Sequence, residues 1–309
     1  KLVGIAPFTL KNMRIEDGVV PGRVITFCGS SELYSDHMDI ISDEEHALSC
    51  IQAVMNYLLN EFKSWDVIHL SHVSDDSSLL KFIQTNYTKM DAEIQYKSIA
   101  PYIPIRDSFD GSYDKYVMSL SRNKRHDLRR RNKKLIVEEN VRYEEDNPKR
   151  NADCIKTLFT LHKMRADSKR IATTFSGDTL QRYHEEIARM FQDNGWLTLR
   201  VMKKGDKVLA SLYCFEFAGK VFAYQSGIDP AWESKGVGSA ILFNLVEEAF
   251  HNKRIEFDFL RGGEEYKGTW TEYSRSQYNI NIYSDSLTSR IIKKTNEMRS
   301  MAKELIINR

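Results

Sequence analysis

Apolar residues recur at helical spacing between residues 48 and 62, where Leu48, Ile51, Val54, Met55, Leu58, Leu59 and Phe62 form one stripe. Ser42 and Glu45, three apart just ahead of it, read as a capping box. Short apolar runs around this helix predict strands at Leu2–Leu10, Arg23–Cys28, His37–Ile41, Val67–Leu70 and Ala92–Ile99, with a second helix near Ser78–Tyr87. The pairs Asp17-Gly18 and Pro21-Gly22 mark turns between the first two strands. The order is β-β-β-α-β-α-β.

The second half repeats that order with two helices in front. A short strand at Val141–Glu145 precedes helices at Ala152–Ala166 and Asp178–Gln192. Strands then follow at Trp196–Met202, Val208–Phe217 and Val221–Gly227, with turns at Gly205-Asp206 and Ala218-Gly219. A helix from Val237 to Phe250, a strand at Ile255–Leu260, a last strand at Tyr278–Tyr283 and a closing helix from Ser286 complete the chain. The two halves share element order and no residue-level repeat. The expected fold class is α/β (α+β) with tandem domains, each a mixed twisted sheet flanked by helices. The expected boundaries are 1–118 for the first domain, 119–138 for a basic helical connector and 139–309 for the second.

The length of 309 residues is enough for two domains with real cores. A net charge of +2 does not by itself mark a nucleic-acid binder. Cys28, Cys50, Cys154 and Cys214 are widely spaced, so no zinc site or disulfide scaffold is indicated and no metal is expected. A reducing, cytoplasmic setting fits these thiols. No run is long enough to span a membrane and no signal peptide is visible. The chain opens directly on an apolar strand pattern from Lys1 to Phe8, so the first domain is expected to lack its beginning.

The candidate chemistry centres on Tyr224-Gln225-Ser226-Gly227 followed by Ser234-Lys235-Gly236-Val237-Gly238-Ser239. A strand, a glycine-bearing turn and a helix start expose unpaired N–H groups at the positive end of a helix dipole, which suits a pyrophosphate. Glycines let the main chain approach without a Cβ in the way. The matching junction in the first half, Ile40 to Glu45, has no glycine and carries Asp39, Asp43, Glu44 and Glu45, which would repel phosphate. Only the second domain is therefore expected to bind a pyrophosphate.

The element order is the layout of the GNAT superfamily of N-acetyltransferases. The runs Ser119–Arg125, Leu161–Arg165, Tyr224–Gly227 and Asp258–Lys267 resemble the GNAT subfamily associated with cellulose and exopolysaccharide biosynthesis (CelD-like), itself related to the Fem-type aminoacyl transferases. The resemblance implies tandem GNAT-like domains, the first degenerate and N-terminally incomplete, with acyl-CoA as co-substrate of the second. It is densest from Ser119 to Trp270. One departure stands out: the usual loop carries Gln or Arg three residues before its first glycine, and this chain has Glu233.

The resemblance also implies site residues. Ser226, Gly227, Ser234, Lys235, Gly236, Val237, Gly238 and Ser239 would hold the coenzyme, its pantetheine arm lying between two splayed parallel strands. Amine attack on a thioester needs a base, oxyanion donors and an acid for the thiolate. Tyr266 is the candidate acid, and Asp258, Glu264 or His162 the candidate base. Arg165, Tyr224, Arg261, Lys267 and Trp270 are candidates for the acceptor side, although Lys267 also fits a surface lysine and Trp270 a core residue. The basic run Arg122–Lys134 reads as a solvated helix or as a surface for an anion such as the acceptor, the coenzyme 3′-phosphate, RNA or a membrane surface, and Arg125 is expected at the domain junction.

The leading expectation is an N-acyltransferase moving an acetyl or longer acyl group from acyl-CoA to an amine on a small molecule or saccharide, such as an amino sugar or polysaccharide precursor. The alternatives are a Fem-type transferase using aminoacyl-tRNA, the one reading that brings in a nucleic acid, and a non-catalytic saccharide- or lipid-binding module with a degenerate cleft.

Overall fold

The computed structural model describes residues 1–15, 18–30, 33, 35–149 and 151–307, the side chains of 300 and 303–307 excepted. The expected turn residue Asp17 lies outside the described residues. The chain forms two compact units, Lys1–Ile99 with Arg275–Arg309, and Ala100–Ser274.

In the first unit, β1 (Gly4–Ile5) pairs with β4 (Ile41–Ser42). The larger sheet begins with β2 (Phe8–Met13) antiparallel to β3 (Gly22–Phe27), which lies parallel to β5 (Val67–Ser74). Helices α1 (Ala47–Asn56) and α2 (Ser78–Asn86) supply Ile51, Met55, Leu79, Leu80 and Ile83 to a core with Ile25, Phe27, Ile68 and Leu70. Ser77 caps α2 by accepting the Leu80 N–H at 3.2 Å. The capping box expected at Ser42 does not form. Ser42 is used in β4, and one tight turn, Glu44–His46, leads into α1 without a side-chain cap. The expected strand at His37–Ile41 is reduced to β4.

The units divide differently from the boundaries expected at 118 and 138. Strand β6 (Ala92–Ile103) runs through the end of the first segment, and β12 (Ser274–Tyr283) pairs antiparallel with β5, Tyr283 opposite Val67 and Ile282 opposite Ile68. Helix α10 (Leu287–Ile307) follows it and places Ile292 against Ile15, Val24, Val67 and Tyr283. The last strand and helix thus belong to the first unit. Hydrogen bonding to a strand far back in the chain decides this, and no local pattern announces it.

The second unit begins with α3 (Tyr113–Ser119) and α4 (Arg122–Lys133), then β7 (Arg142–Asp146), α5 (Cys154–Lys169) and α6 (Asp178–Asp193). β8 (Leu197–Lys204), β9 (Lys207–Phe217) and β10 (Lys220–Ile228) follow, then the short α7 (Pro230–Glu233), α8 (Val237–His251), β11 (Glu256–Asp258) and α9 (Glu265–Gly268). Strands β7 to β10 form an antiparallel meander, β10 runs parallel to β11, and β11 is antiparallel to the end of β6.

Helix α8 is apolar on nearly every side, with Val237, Ile241, Leu242, Leu245, Val246 and Phe250 buried. Such a helix must be covered all round. The sheet covers one side through Met202, Leu209 and Val221, and α3 and α4 bring Tyr116, Val117 and Leu128 into the same core. Arg125 locks α3 to α4, its Nη1 donating to the carbonyls of Met118 at 2.7 Å and Leu120 at 2.6 Å. The contact is local to this unit. The helices α5 and α6 share a second cluster with β8 and β9, in which Leu158, Phe159, Phe175, Ala188, Leu199 and Tyr213 are buried. No helix among the described residues is long and apolar enough to cross a membrane.

Candidate active site

The site is built where β10 and β11 part. Their pairing runs only from Lys220 opposite Glu256 to Phe222 opposite Asp258, while β10 continues to Ile228. The cause is the turn after β11. Leu260 adopts φ +58°, a left-handed conformation that costs a bulky residue energy, and the buried Asp258 carboxylate accepts the Leu260 N–H at 2.6 Å. Phe259 turns toward β6, its N–H bonding Pro101 O at 2.9 Å. The β10 edge from Ala223 to Ser226 is half-buried and extends beyond the pairing with β11. Tyr224 is a bulge: its neighbours Ala223 and Gln225 face Cys214 and Tyr213, which are consecutive on β9.

Beyond β10, Asp229 caps α7 by accepting the Ala231 N–H at 2.9 Å, and Lys207 pairs with its other oxygen at 2.7 Å, which holds the carboxyl below the usual range. Gly236, at φ +80°, opens α8. Its N–H is taken by Glu233 O and its carbonyl accepts Ala240 N–H. The amides of Val237, Gly238 and Ser239 have no protein acceptor among the described residues and no side chain caps them. The glycines let Arg131 and Ile228 pack closely on this corner: a Cβ on Gly236 would stand 2.7 Å from Arg131 Cδ, and one on Gly238 would stand 2.5 Å from Ile228 Cδ1. Ser234 is exposed and Ser239 half-buried. Lys235 is turned aside, 2.8 Å from Glu139 Oε1 and 4.0 Å from the Trp232 ring centroid.

Helix α5 packs against β10 and β9. Gly227 makes this possible, since a Cβ there would come within 2.7 Å of Leu161 Cβ, 2.8 Å of Leu158 O and 2.9 Å of His162 N. His162 is held by the Thr173 hydroxyl at Nδ1 (2.9 Å), the Thr174 hydroxyl at Nε2 (3.2 Å) and the side chain of Gln225. Burial and then the charge of Arg165 push its pKa below the ordinary 6.5, so the ring is neutral at pH 7. Arg165 Nε and Lys169 Nζ both reach Glu233 Oε1, at 3.3 and 2.8 Å. The acid at the departing loop position is thereby neutralised, and the Lys169 bond leads in holding its pKa low. Tyr224 OH sits 3.5 Å from His184 Nε2, and burial lowers the His184 pKa to about 4.

The loop after β11 supplies the remaining candidates. Tyr266 is half exposed, yet desolvation, with the nearby Glu264 carboxylate, pushes its pKa up to about 12 against the opposing charge of Arg165. Tyr266, Glu264 and Arg165 therefore share one neighbourhood. Asp258 does not join them, being fully buried and used in the Leu260 turn. Lys267, expected on the acceptor side, is 4% exposed and donates to Arg261 O at 2.7 Å and Leu260 O at 3.3 Å, with Glu264 Oε2 at 2.9 Å. It holds the loop together from inside. Arg261 is half-buried and lends its carbonyl to that arrangement. Trp270 is a core residue, 1% exposed, its carbonyl taken by Tyr116 OH at 3.1 Å and its ring covered by Lys124.

Four partners of the site carried little signal in the sequence. Gln225 stands inside a run already singled out, but its orientation depends on the bulge. Thr173 and Thr174 are two hydroxyls in a polar loop, and Arg131 is one cation among many on α4.

Residues 122–268 match the family model described as Acetyltransferase (GNAT) domain. No curated protein matches the chain. Among solved structures, FemX superposes with a TM-score of 0.63 at 11% identity, over 92% of this chain and 86% of that one. L-PGS from Bacillus licheniformis gives 0.57 at 10%, over 93% and 88%. A C-terminal domain named for lysylphosphatidylglycerol synthetase, from Agrobacterium fabrum, gives 0.57 at 8%, over 93% and 87%. Residues 122–268 are thus similar to the GNAT acetyltransferase domain family, within a chain that shares its fold with FemX.

Proposed function

We propose that the chain is an N-acyltransferase that moves an acetyl or longer acyl group from acyl-CoA to an amine, on an amino sugar or a related polysaccharide or cell-envelope precursor. The family match carries the coarser statement, transfer of an acyl group. The finer reading rests on one observation. Three amides at the start of α8 have no protein acceptor among the described residues, and they follow the edge of β10 that extends beyond its pairing with β11. Amides and dipole suit a diphosphate, and the edge offers strand-like hydrogen bonds to an extended amide-bearing arm.

Acyl-CoA would supply an acyl carbonyl activated as a thioester, at which a C–N bond forms and a C–S bond breaks. The chain's own residues suit the two proton transfers. Tyr266 stays protonated at neutral pH and can give its proton to a departing sulfur. His162 is neutral and fixed by Thr173, Thr174 and Gln225, so it can take a proton from the amine, directly or through water.

Calorimetry with acetyl-CoA tests this reading. Gly238→Asp places a carboxylate at the helix start, where it repels a diphosphate, and its Cβ displaces the Ile228 side chain. Loss of binding in a folded variant supports the assignment, and wild-type affinity rejects it. The fold shared with FemX favours a second reading, transfer from aminoacyl-tRNA. Activity abolished by ribonuclease would establish that reading, whereas free-thiol release from acyl-CoA would establish the first.

A further inference from the structure

The loop before α8 brings little positive charge of its own to a diphosphate. Glu233 is spent on Arg165 and Lys169, and Lys235 faces Glu139 and the Trp232 ring. A cation does reach the corner from outside the loop. Arg131, on α4, lays its side chain over Gly236: Cδ and Nη1 stand 2.7 and 2.8 Å from where a Gly236 Cβ would be.

The placement is built. Helix α4 is fixed to α8 by Leu128 in the shared core and by the bond from Asn244 Nδ2 to Asn132 Oδ1 at 2.8 Å. Asp127, one turn before Arg131, holds its Nε at 2.7 Å. The same carboxylate also holds Arg130 Nη2 at 2.8 Å. One negative charge shared between two guanidiniums leaves a net positive charge beside the three free amides. The Arg131 side chain is still about one-third exposed, at 37%, so it can meet a ligand.

From this juxtaposition we infer that Arg131 is the residue of α4 that binds the diphosphate of the acyl donor, supplying the cation that the loop lacks. The inference rests on the acyl-CoA reading above. It makes part of the basic run a donor-binding element, with Asp127 as the residue that positions it. A guanidinium presents several donors in a plane and suits phosphate oxygens better than an ammonium does.

The test is calorimetry on the full chain with three probes: acetyl-CoA, 3′-dephospho-acetyl-CoA and acetyl-pantetheine, which lacks the diphosphate. Arg131→Ala should weaken acetyl-CoA and the dephospho form by the same factor, about tenfold or more, and leave acetyl-pantetheine unchanged. Arg131→Lys should recover part of the loss, and a wild-type melting temperature for either variant removes misfolding as the cause. Unchanged affinity for acetyl-CoA overturns the inference and leaves the acyl-CoA reading standing. A loss confined to acetyl-CoA moves Arg131 to the 3′-phosphate and overturns the diphosphate assignment. An equal loss with acetyl-pantetheine reduces Arg131 to packing. No binding of acetyl-CoA by the wild-type chain overturns the acyl-CoA reading itself.

Discussion

Gly227→Ala tests a close approach of main chain to main chain in the candidate site. The added methyl would meet three atoms of α5 inside 3.0 Å, and two of them, Leu158 O and His162 N, are main chain. Main chain cannot rotate away as a side-chain end can, so α5 must lift off β10. Overpacking of this kind costs about 1–3 kcal/mol, and rigid neighbours argue for the upper end. Alanine's lower backbone entropy in a strand returns roughly 0.5–1 kcal/mol. The net is a destabilisation of about 2 kcal/mol, or roughly 3 °C in melting temperature for a protein of this size. Gly268→Ala is the control. Gly268 lies in α9 with no atom within 4 Å of its Cβ position and no positive φ. That variant should melt at or slightly above the wild type. Thermal unfolding followed by circular dichroism measures both. A Gly227→Ala protein melting within about 1 °C of wild type, or a Gly268→Ala protein falling as far, refutes the reasoning.

Other outcomes follow from the same geometry. Tyr266→Phe should lower kcat by about 10²-fold while KM for acyl-CoA holds, and an unchanged kcat removes Tyr266 as the acid. Glu248 is gripped by Arg200 Nε at 2.9 Å and by Tyr143 OH at 2.8 Å, so Glu248→Gln should cost about 2 kcal/mol at neutral pH, a value discounted for partial exposure. Burial raises the Glu248 carboxyl, but the Arg200 bond and charge and the Tyr143 bond together hold it below its ordinary 4.5. Its stabilisation is therefore full above that ordinary value and lost as pH falls through the lower folded one. Urea titrations of the two proteins should converge in acid, and a constant gap would sink the assignment. Lys267→Met leaves the carbonyls of Arg261 and Leu260 without their donor, and should loosen the 258–270 loop by about 1–3 kcal/mol. Hydrogen exchange of that loop identical to wild type would argue against it.

Much of the second unit was legible in the chain because its contacts are local. Helices α5, α6 and α8 and strands β8 to β10 lie close to where periodicity and turn residues put them. The turn at Gly236 was legible for the same reason, since a strand, a positive φ and a helix start follow one another there. The roles of Asp258, Lys267 and Trp270 were less so. Carboxylate, ammonium and indole look alike in sequence whether they face a cleft or a core, and only packing shows Asp258 capping Leu260 and Lys267 turned inward.

Sequence alone determined which segments are strands and helices, and where main-chain amides would stand free. Those properties depend on side-chain periodicity and backbone freedom over a few residues. Tertiary structure decided the rest: that β12 and α10 return to the first unit, that Arg131 reaches Gly236, and that His162 meets Gln225, Thr173 and Thr174. Each is a contact between segments distant along the chain or re-aimed by a bulge, and it exists only once the sheet has formed.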